Sequence, residues 1–256
     1  PVVASYPEVI RVNMARILEE KQINFIYPFL SVDSDGAMLK QLASCFEDIP
    51  RRELKHAITK AKQEEARYIQ WLRGRGEEII AQLKRENKKG IVVTGHPYHI
   101  DPAINHGLPE EINKLGMAVL TEDAICHLST EQTRPDVVNQ WTFHSRLYQA
   151  ADVVKANRNL ELLQVSSFGC GLDAITTDAV AEILAQSQQL YTWIKMDENS
   201  NLGAARIRLR SLKAAIEERD RQTTVRKIKQ TKKSEELIFS KQNKAGYTIL
   251  SPQMLP

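Results

Sequence analysis

Four short loops hold most of the side chains in this chain that could carry chemistry. They are Gly95-His96-Pro97-Tyr98-His99-Ile100-Asp101-Pro102, Thr121-Glu122-Asp123, Ser166-Ser167-Phe168-Gly169-Cys170-Gly171-Leu172-Asp173 and Asp197-Glu198-Asn199-Ser200-Asn201-Leu202-Gly203. Imidazoles, carboxylates and a thiol are the groups that ligate metals, move protons or attack electrophiles. Cys170 is the most suggestive single residue. It lies between Gly169 and Gly171, just ahead of a helix whose start Asp173 can cap. A thiol there faces backbone N–H groups and the positive helix end, which favour the thiolate. The flanking glycines permit close approach of a bulky ligand, such as an iron–sulfur cluster or a substrate. A small residue packed in a tight turn explains the same pattern, and both readings stand at this point.

Other constellations are weaker. His96, His99, His106, Asp101, Asp123 and Cys126 form a tempting metal set, but their spacing matches no closed zinc pattern. Loop histidines also serve simply as hydrogen-bonding or ligand-contacting groups. A nucleophilic triad of Ser167 or Cys170 with His99 and Asp101 or Asp123 is formally available, without the G-x-S-x-G elbow. No G-x-G-x-x-G and no P-loop occurs, so no motif supports nucleotide binding. Asn201-Leu202-Gly203-Ala204-Ala205-Arg206 opens a helix with small residues that either bind an anion or allow close packing. Cys45 and Cys126 read as buried structural residues.

The elements that must position these loops alternate regularly after Gly90. Ile91–Val93, Met117–Leu120, Leu160–Val165 and Leu190–Ile194 read as strands. Helices are expected near Ala103–Lys114, Val137–Ala156, Ala174–Ala185 and Leu202–Arg219. Four strand–helix units argue for a parallel sheet with right-handed crossovers and helices on both faces, flavodoxin-like or Rossmann-like. Ligands of such sheets bind outside the carboxyl ends of the strands, where all four loops would meet. Before Gly90, residues 1–49 read as an incomplete N-terminal α/β domain. Val2–Ala4 and Ile23–Tyr27 are its strands, and Ala37–Phe46 is a short helix. Residues 50–89 read as one long charged helix, capped by Asp48, bent near Gly74 and Gly76, and connecting two bodies. Residues 90–220 are the four-stranded parallel α/β domain. Residues 221–256 are a basic linker ending in a strand at Tyr247–Leu250.

Composition sets the outer limits. With 256 residues, 42% of them hydrophobic, the chain can bury a proper core without disulfides or metals. Three cysteines fit a reducing cytoplasm better than a secreted disulfide framework. No apolar run is long enough for a membrane helix. The start at Pro1, without Met or a signal peptide, reads as an internal piece of something longer. The formal net charge is +3, and the stretch from Asp220 onward supplies it. That Gln-, Thr- and Lys-rich, aromatic-poor stretch reads first as a solvated linker and second as an anion- or polynucleotide-binding tail.

The loop residues themselves carry a resemblance. Gly95-His-Pro-Tyr-His-Ile-Asp-Pro, Asn105-His106-Gly107, Leu120-Thr-Glu-Asp, Ser167-Phe-Gly-Cys-Gly-Leu-Asp-Ala, Thr177-Asp178 and Asn201-Leu-Gly-Ala-Ala-Arg-Ile-Arg-Leu-Arg-Ser-Leu resemble the 2-hydroxyglutaryl-CoA dehydratase-related proteins. They resemble most closely the long anaerobe proteins known as CoA-substrate-specific enzyme activases. The likeness is most specific over residues 91–212. It implies α/β domains that hold an iron–sulfur cluster through cysteines and receive a low-potential electron from an ATP-driven partner. Cys170 matches the family's cluster cysteine. Further family cysteines fall upstream of Pro1, and an iron–sulfur cube wants about four ligands. The cluster is therefore expected in a full-length parent and not in this piece. His96 stands where the family has Arg, which puts binding of an anionic substrate group in question.

The resemblance implies an inactive fragment of the dehydratase-like redox portion of an ATP-dependent activator system. Cys170 would be the cluster ligand, with His96, Pro97, Tyr98, His99, Asp101, Glu122, Asp123, Gly169, Gly171 and Asn201 lining the cleft. The implied partners are an ATPase activator module of the same or another chain and an acyl-CoA substrate, with self-association covering the truncated domain. Membrane and nucleic acid are not expected partners. The alternative is a non-catalytic module that docks a protein or an acyl-CoA, with a structural Cys170.

Overall fold

The computed structural model describes residues 2–130, 142–167, 169–187, 189–196 and 202–221. Pro1–Leu212 forms one compact unit and Lys213–Pro256 a second, of which only residues 213–221 are described.

Four hydrophobic runs become the strands β1 (Gly90–Thr94), β2 (Ala118–Thr121), β3 (Leu160–Ser166) and β4 (Tyr191–Lys195). They form one sheet in the order β2-β1-β3-β4, and every neighbouring pair is parallel. The protein is an α/β protein built on a parallel sheet, as the alternating pattern requires. All seven residues of β3 and all five of β1 are buried, the mark of strands covered on both faces. The chain leaves β1 for β2 on one side and later returns to β3 on the other. The strand order therefore reverses between β1 and β3, the point where such sheets bind ligands.

Side-chain alternation divides the core into two layers. Val92, Leu160 and Leu162 point to one face. There they pack with Ile80 and Leu83 of α4 (Arg51–Glu86), Ala124 and Ile125 at α7 (Glu122–Ile125), Leu147 and Val154 of α8 (Thr142–Lys155), and Val180 and Leu184 of α9 (Gly171–Ala185). The opposite face belongs to α6 (Leu108–Lys114) and α10 (Leu202–Arg221), which bury Leu108, Ile112, Ala205, Leu209 and Leu212. Arg206 of α10 pairs with Glu111 of α6 at 3.0 Å and ties these two helices together. No helix among the described residues is long and apolar enough to cross a membrane.

The first half of the chain departs from the sequence expectation in three ways. Neither expected N-terminal strand forms. Val2–Ala4 lies in the helix α1 (Val2–Asn13), followed by α2 (Ala15–Glu20), and Ile23–Tyr27 adopts no regular element. A strand needs a partner to receive its N–H and C=O groups, and among the described residues no strand lies beside these. The expected helix near Ala37 does form, as α3 (Asp35–Cys45). The long helix α4 starts behind Pro50, with no side-chain cap from Asp48, and ends on Asn87 in the left-handed region. It is also more than a connector, because Ile80 and Leu83 belong to the main core. Gly76 stands where α4 meets α7. It lies against the Ala124 carbonyl, where a Cβ would collide with backbone, so the glycine lets α4 and α7 touch.

Candidate functional site

The register of the sheet brings two of the four loops side by side. Val93 pairs with Leu163 and Thr94 with Gln164, so the loop after β1 leaves beside the last residues of β3, which runs on to Ser166. Gly95 then turns the chain with φ +153°, and a Cβ there would lie 2.5 Å from the Val165 carbonyl and 2.6 Å from His99 Nδ1. Only glycine lets the two strand ends approach this closely.

A 3₁₀ turn at Pro97–Ile100 folds His99 back under the loop. The backbone N–H of His96 donates to His99 Nδ1 at 2.9 Å. That bond leaves the ring proton on Nε2, which faces Ser167 Oγ at 3.2 Å. Burial pushes His99 down to about 4, with the nearby His96 ring adding to the shift against an opposing Asp173 charge. His99 is therefore a neutral hydrogen-bond donor to Ser167, not a base able to take its proton. The triad reading fails on this point and on a second one. Asp101 caps α5 (Pro102–Asn105) through the Ala103 N–H, and Asp123 accepts from the Thr121 hydroxyl.

His96 is the hub. Its Nε2 lies 2.9 Å from Asp173 Oδ1 and 3.7 Å from Cys170 Sγ. Tyr98 stacks parallel on its ring at 5.1 Å and bonds Ser167 Oγ at 2.7 Å. Asp173 fixes the other loop by accepting the Ser167 backbone N–H on Oδ2 at 3.0 Å. Burial opposes ionisation of Asp173, yet the hydrogen bonds from His96 and Ser167 hold its carboxyl below the ordinary value. Cys170 is the N-cap residue of α9, and Asp173 sits in that helix's first turn. Asp173 is thus not the cap that its spacing suggested. Helix α9 begins three residues earlier than expected, and this rotates the carboxylate back toward β1. Gly169 makes the turn with φ +75°, and among the described residues no other atom lies within 4 Å of a Cβ placed on Gly169 or Gly171.

One atom from each of His96, Cys170 and Asp173 lies within 4.8 Å of the others. This is the metal-competent cluster among the described residues, and it differs from the set that sequence spacing suggested. His106 is the left-handed C-cap of α5, and Cys126 is buried in a 3₁₀ turn, its thiol pushed up by burial. Cys45 ends α3. Two further groups border the cluster. Glu122, at the end of β2, is raised to about 7, chiefly by burial, with the adjacent Asp123 adding to it. His144 of α8 packs edge-on against the His96 ring at 5.6 Å. Its own proton affinity is lowered by burial. Its Nδ1 has no hydrogen-bond partner among the described residues.

The loops after β1 and β3 therefore meet, as the parallel topology requires, with Glu122 of the loop after β2 near them. Pro97 opens the 3₁₀ turn. Residues 197–201 of the fourth loop (Asn201 included), Phe168 and residues 222–256 lie outside the described residues. Reasoning from sequence missed Asp173 as a site carboxylate and His144 as a neighbour of His96. The one signal for the latter was the crowding of histidines between His96 and His144.

An iron–sulfur cube does not fit the groups present. It calls for about four ligands, mostly thiolates, and this chain brings one thiol, one imidazole and one carboxylate to the site. Residues 1–125 match the model of the CoA enzyme activase uncharacterised domain. The match supports a CoA enzyme activase-related region and includes the His96 loop and Glu122, while Cys170 and Asp173 lie beyond it. No curated protein and no solved structure matches the chain.

Proposed function

We propose that this chain is the metal-holding α/β portion of an ATP-dependent CoA enzyme activase-type system that serves dehydration of 2-hydroxyacyl-CoA thioesters. The observation that carries this reading is the convergence of His96, Cys170 and Asp173 at the β1/β3 switch point. The family match over residues 1–125 supports the CoA enzyme setting. Cys170 is the ligand the resemblance singles out. An iron–sulfur centre in the parent system would need thiolates that this site does not contribute. What the chain's own residues do is hold charge and orientation. Asp173 steadies His96, His99 donates to Ser167, and Glu122 keeps a proton near neutrality beside them.

The test uses the parent protein purified without oxygen together with its ATPase activator. Turnover of 2-hydroxyglutaryl-CoA is measured for wild type, Cys170→Ser and His96→Gln. Loss of turnover by about a hundredfold or more in both variants is expected, as for removal of a metal ligand or its support. Full turnover in both would remove this reading in favour of a docking module with a structural cysteine.

A further inference from the structure

We propose that His96 Nε2, Cys170 Sγ and a carboxylate oxygen of Asp173 hold one borderline divalent ion, Zn²⁺ or Fe²⁺, with a fourth position for water or a substrate oxygen. The inference deepens the functional reading above by naming what Cys170 holds. It also departs from the expectation of a cluster.

The donor set selects the ion. A thiolate excludes Mg²⁺ and Ca²⁺, which take oxygen ligands. Mixed sulfur, nitrogen and oxygen donors suit zinc and ferrous iron. The spacing agrees as well. Tetrahedral zinc would separate a sulfur and a nitrogen ligand by about 3.6 Å and a nitrogen and an oxygen ligand by about 3.3 Å. The observed separations are 3.7 Å for Cys170 Sγ to His96 Nε2 and 2.9 Å for His96 Nε2 to Asp173 Oδ1. The first already fits, the second must open by a few tenths of an ångström, and the third, from Cys170 Sγ to the Asp173 carboxylate, lies within 4.8 Å. The ion would enter where His96 and Asp173 now share a proton. The imidazole then carries its proton on Nδ1, and the thiol proton leaves to solvent.

Two features mark this as more than a chance meeting of polar groups. The carboxylate is buried, with 7% of its side chain exposed, and it is itself oriented by the Ser167 N–H. That supporting bond is the kind that aims metal ligands. Against the His96 ring stands the buried His144, whose Nδ1 lacks a partner among the described residues. A buried polar atom without a partner often marks water or an ion that the structure does not show. Three protein ligands with one open position is the pattern of catalytic zinc, in which the fourth place takes water or a substrate oxygen.

The experiment titrates the full 256-residue chain, kept free of oxygen, first with Co²⁺ and then with Zn²⁺. One equivalent of Co²⁺ is expected to give a sulfur-to-cobalt charge-transfer band that Zn²⁺ removes. Cys170→Ser and Cys170→Ala should both abolish the band while far-ultraviolet circular dichroism shows the fold retained. His96→Gln and Asp173→Asn should weaken binding by about tenfold or more, since loss of even a supporting group costs that much. Cys126→Ser should leave the band intact. Absence of the band in the wild type, or its survival in both Cys170 variants, overturns the site. Iron bound together with acid-labile sulfide on reconstitution overturns the single ion and leaves the functional reading standing. A cobalt site in a parent whose turnover ignores Cys170→Ser does the reverse.

Discussion

The sheet body and the N-terminal helices are both rich in apolar side chains, but only one of them hides those side chains. Within residues 160–166 every side chain is buried. In the first 32 residues, Tyr6, Val9, Ile10, Val12, Ile17, Ile23, Phe29 and Val32 are all exposed, Phe29 by 80%. The apolar content is similar, and what differs is a second layer. Each face of the sheet meets helices across it, whereas α1 and α2 leave many of their apolar side chains exposed. Hydrophobic burial stabilises only the area actually removed from water. The contrast also locates the chemistry. The site stands on the rigid, doubly covered strands β1 and β3, which can hold three ligand atoms in place.

The largest effect that tests the contrast is in the core. Leu162→Ala removes a fully buried side chain at the middle of β3. It should destabilise the protein by about 2–5 kcal/mol in urea unfolding. A loss under about 1 kcal/mol would mean the sheet is not the stabilising body.

Next comes the turn that joins body to site. Gly95→Ala drives a Cβ into the Val165 carbonyl and His99 Nδ1 at an unfavourable φ. A loss of about 2–3 kcal/mol is expected, together with loss of the His99–Ser167 hydrogen bond by NMR. A variant of wild-type stability would show that the strand ends are not this close.

Two buried titrating groups at the site give a subtler effect. Unfolded, His99 takes up a proton near its ordinary 6.5, and folded only near 4. Its contribution to stability is therefore lost as pH falls from 6.5 toward 4. Glu122 behaves oppositely. Folded, it keeps its proton up to about 7, against an ordinary 4.5. Its contribution is full below 4.5 and is lost as pH rises toward 7. Each slope reaches at most about 1.4 kcal/mol per pH unit, and the two oppose each other where the windows overlap. In urea titrations over that overlap, stability of His99→Gln should fall as pH rises, and stability of Glu122→Gln should rise. Slopes of the same sign in both variants would refute the two burial shifts.

The smallest effect comes from the exposed region. Phe29→Ser should change stability by no more than about 0.5 kcal/mol. A loss above about 2 kcal/mol would show that Phe29 is covered in solution and that the N-terminal region is packed like the sheet.

Much of the fold was legible because parallel strands have a simple signature. Ile91–Val93 and Leu160–Val165 are short continuous apolar runs, and helix periodicity between such runs leaves few topologies open. The N-terminal strands were misread for a related reason. β-branched and aromatic residues suit a strand only when another strand stands beside them, and among the described residues Val2–Ala4 and Ile23–Tyr27 have no such neighbour. The sequence alone determined that His96, Cys170 and Glu122 fall at strand ends and therefore near one edge, because strand direction fixes where loops emerge. Which of them touch was decided only by tertiary structure. Nothing in the spacing of Asp173 shows that α9 begins at Gly171, and that start aims the carboxylate across at His96. Likewise, the neutral state of His99 follows from burial and from the His96 N–H donated to its ring, and both arise only once the strands are paired. Patterns along a chain encode direction and burial, while contact distances between loops depend on the register and helix phase that packing alone sets.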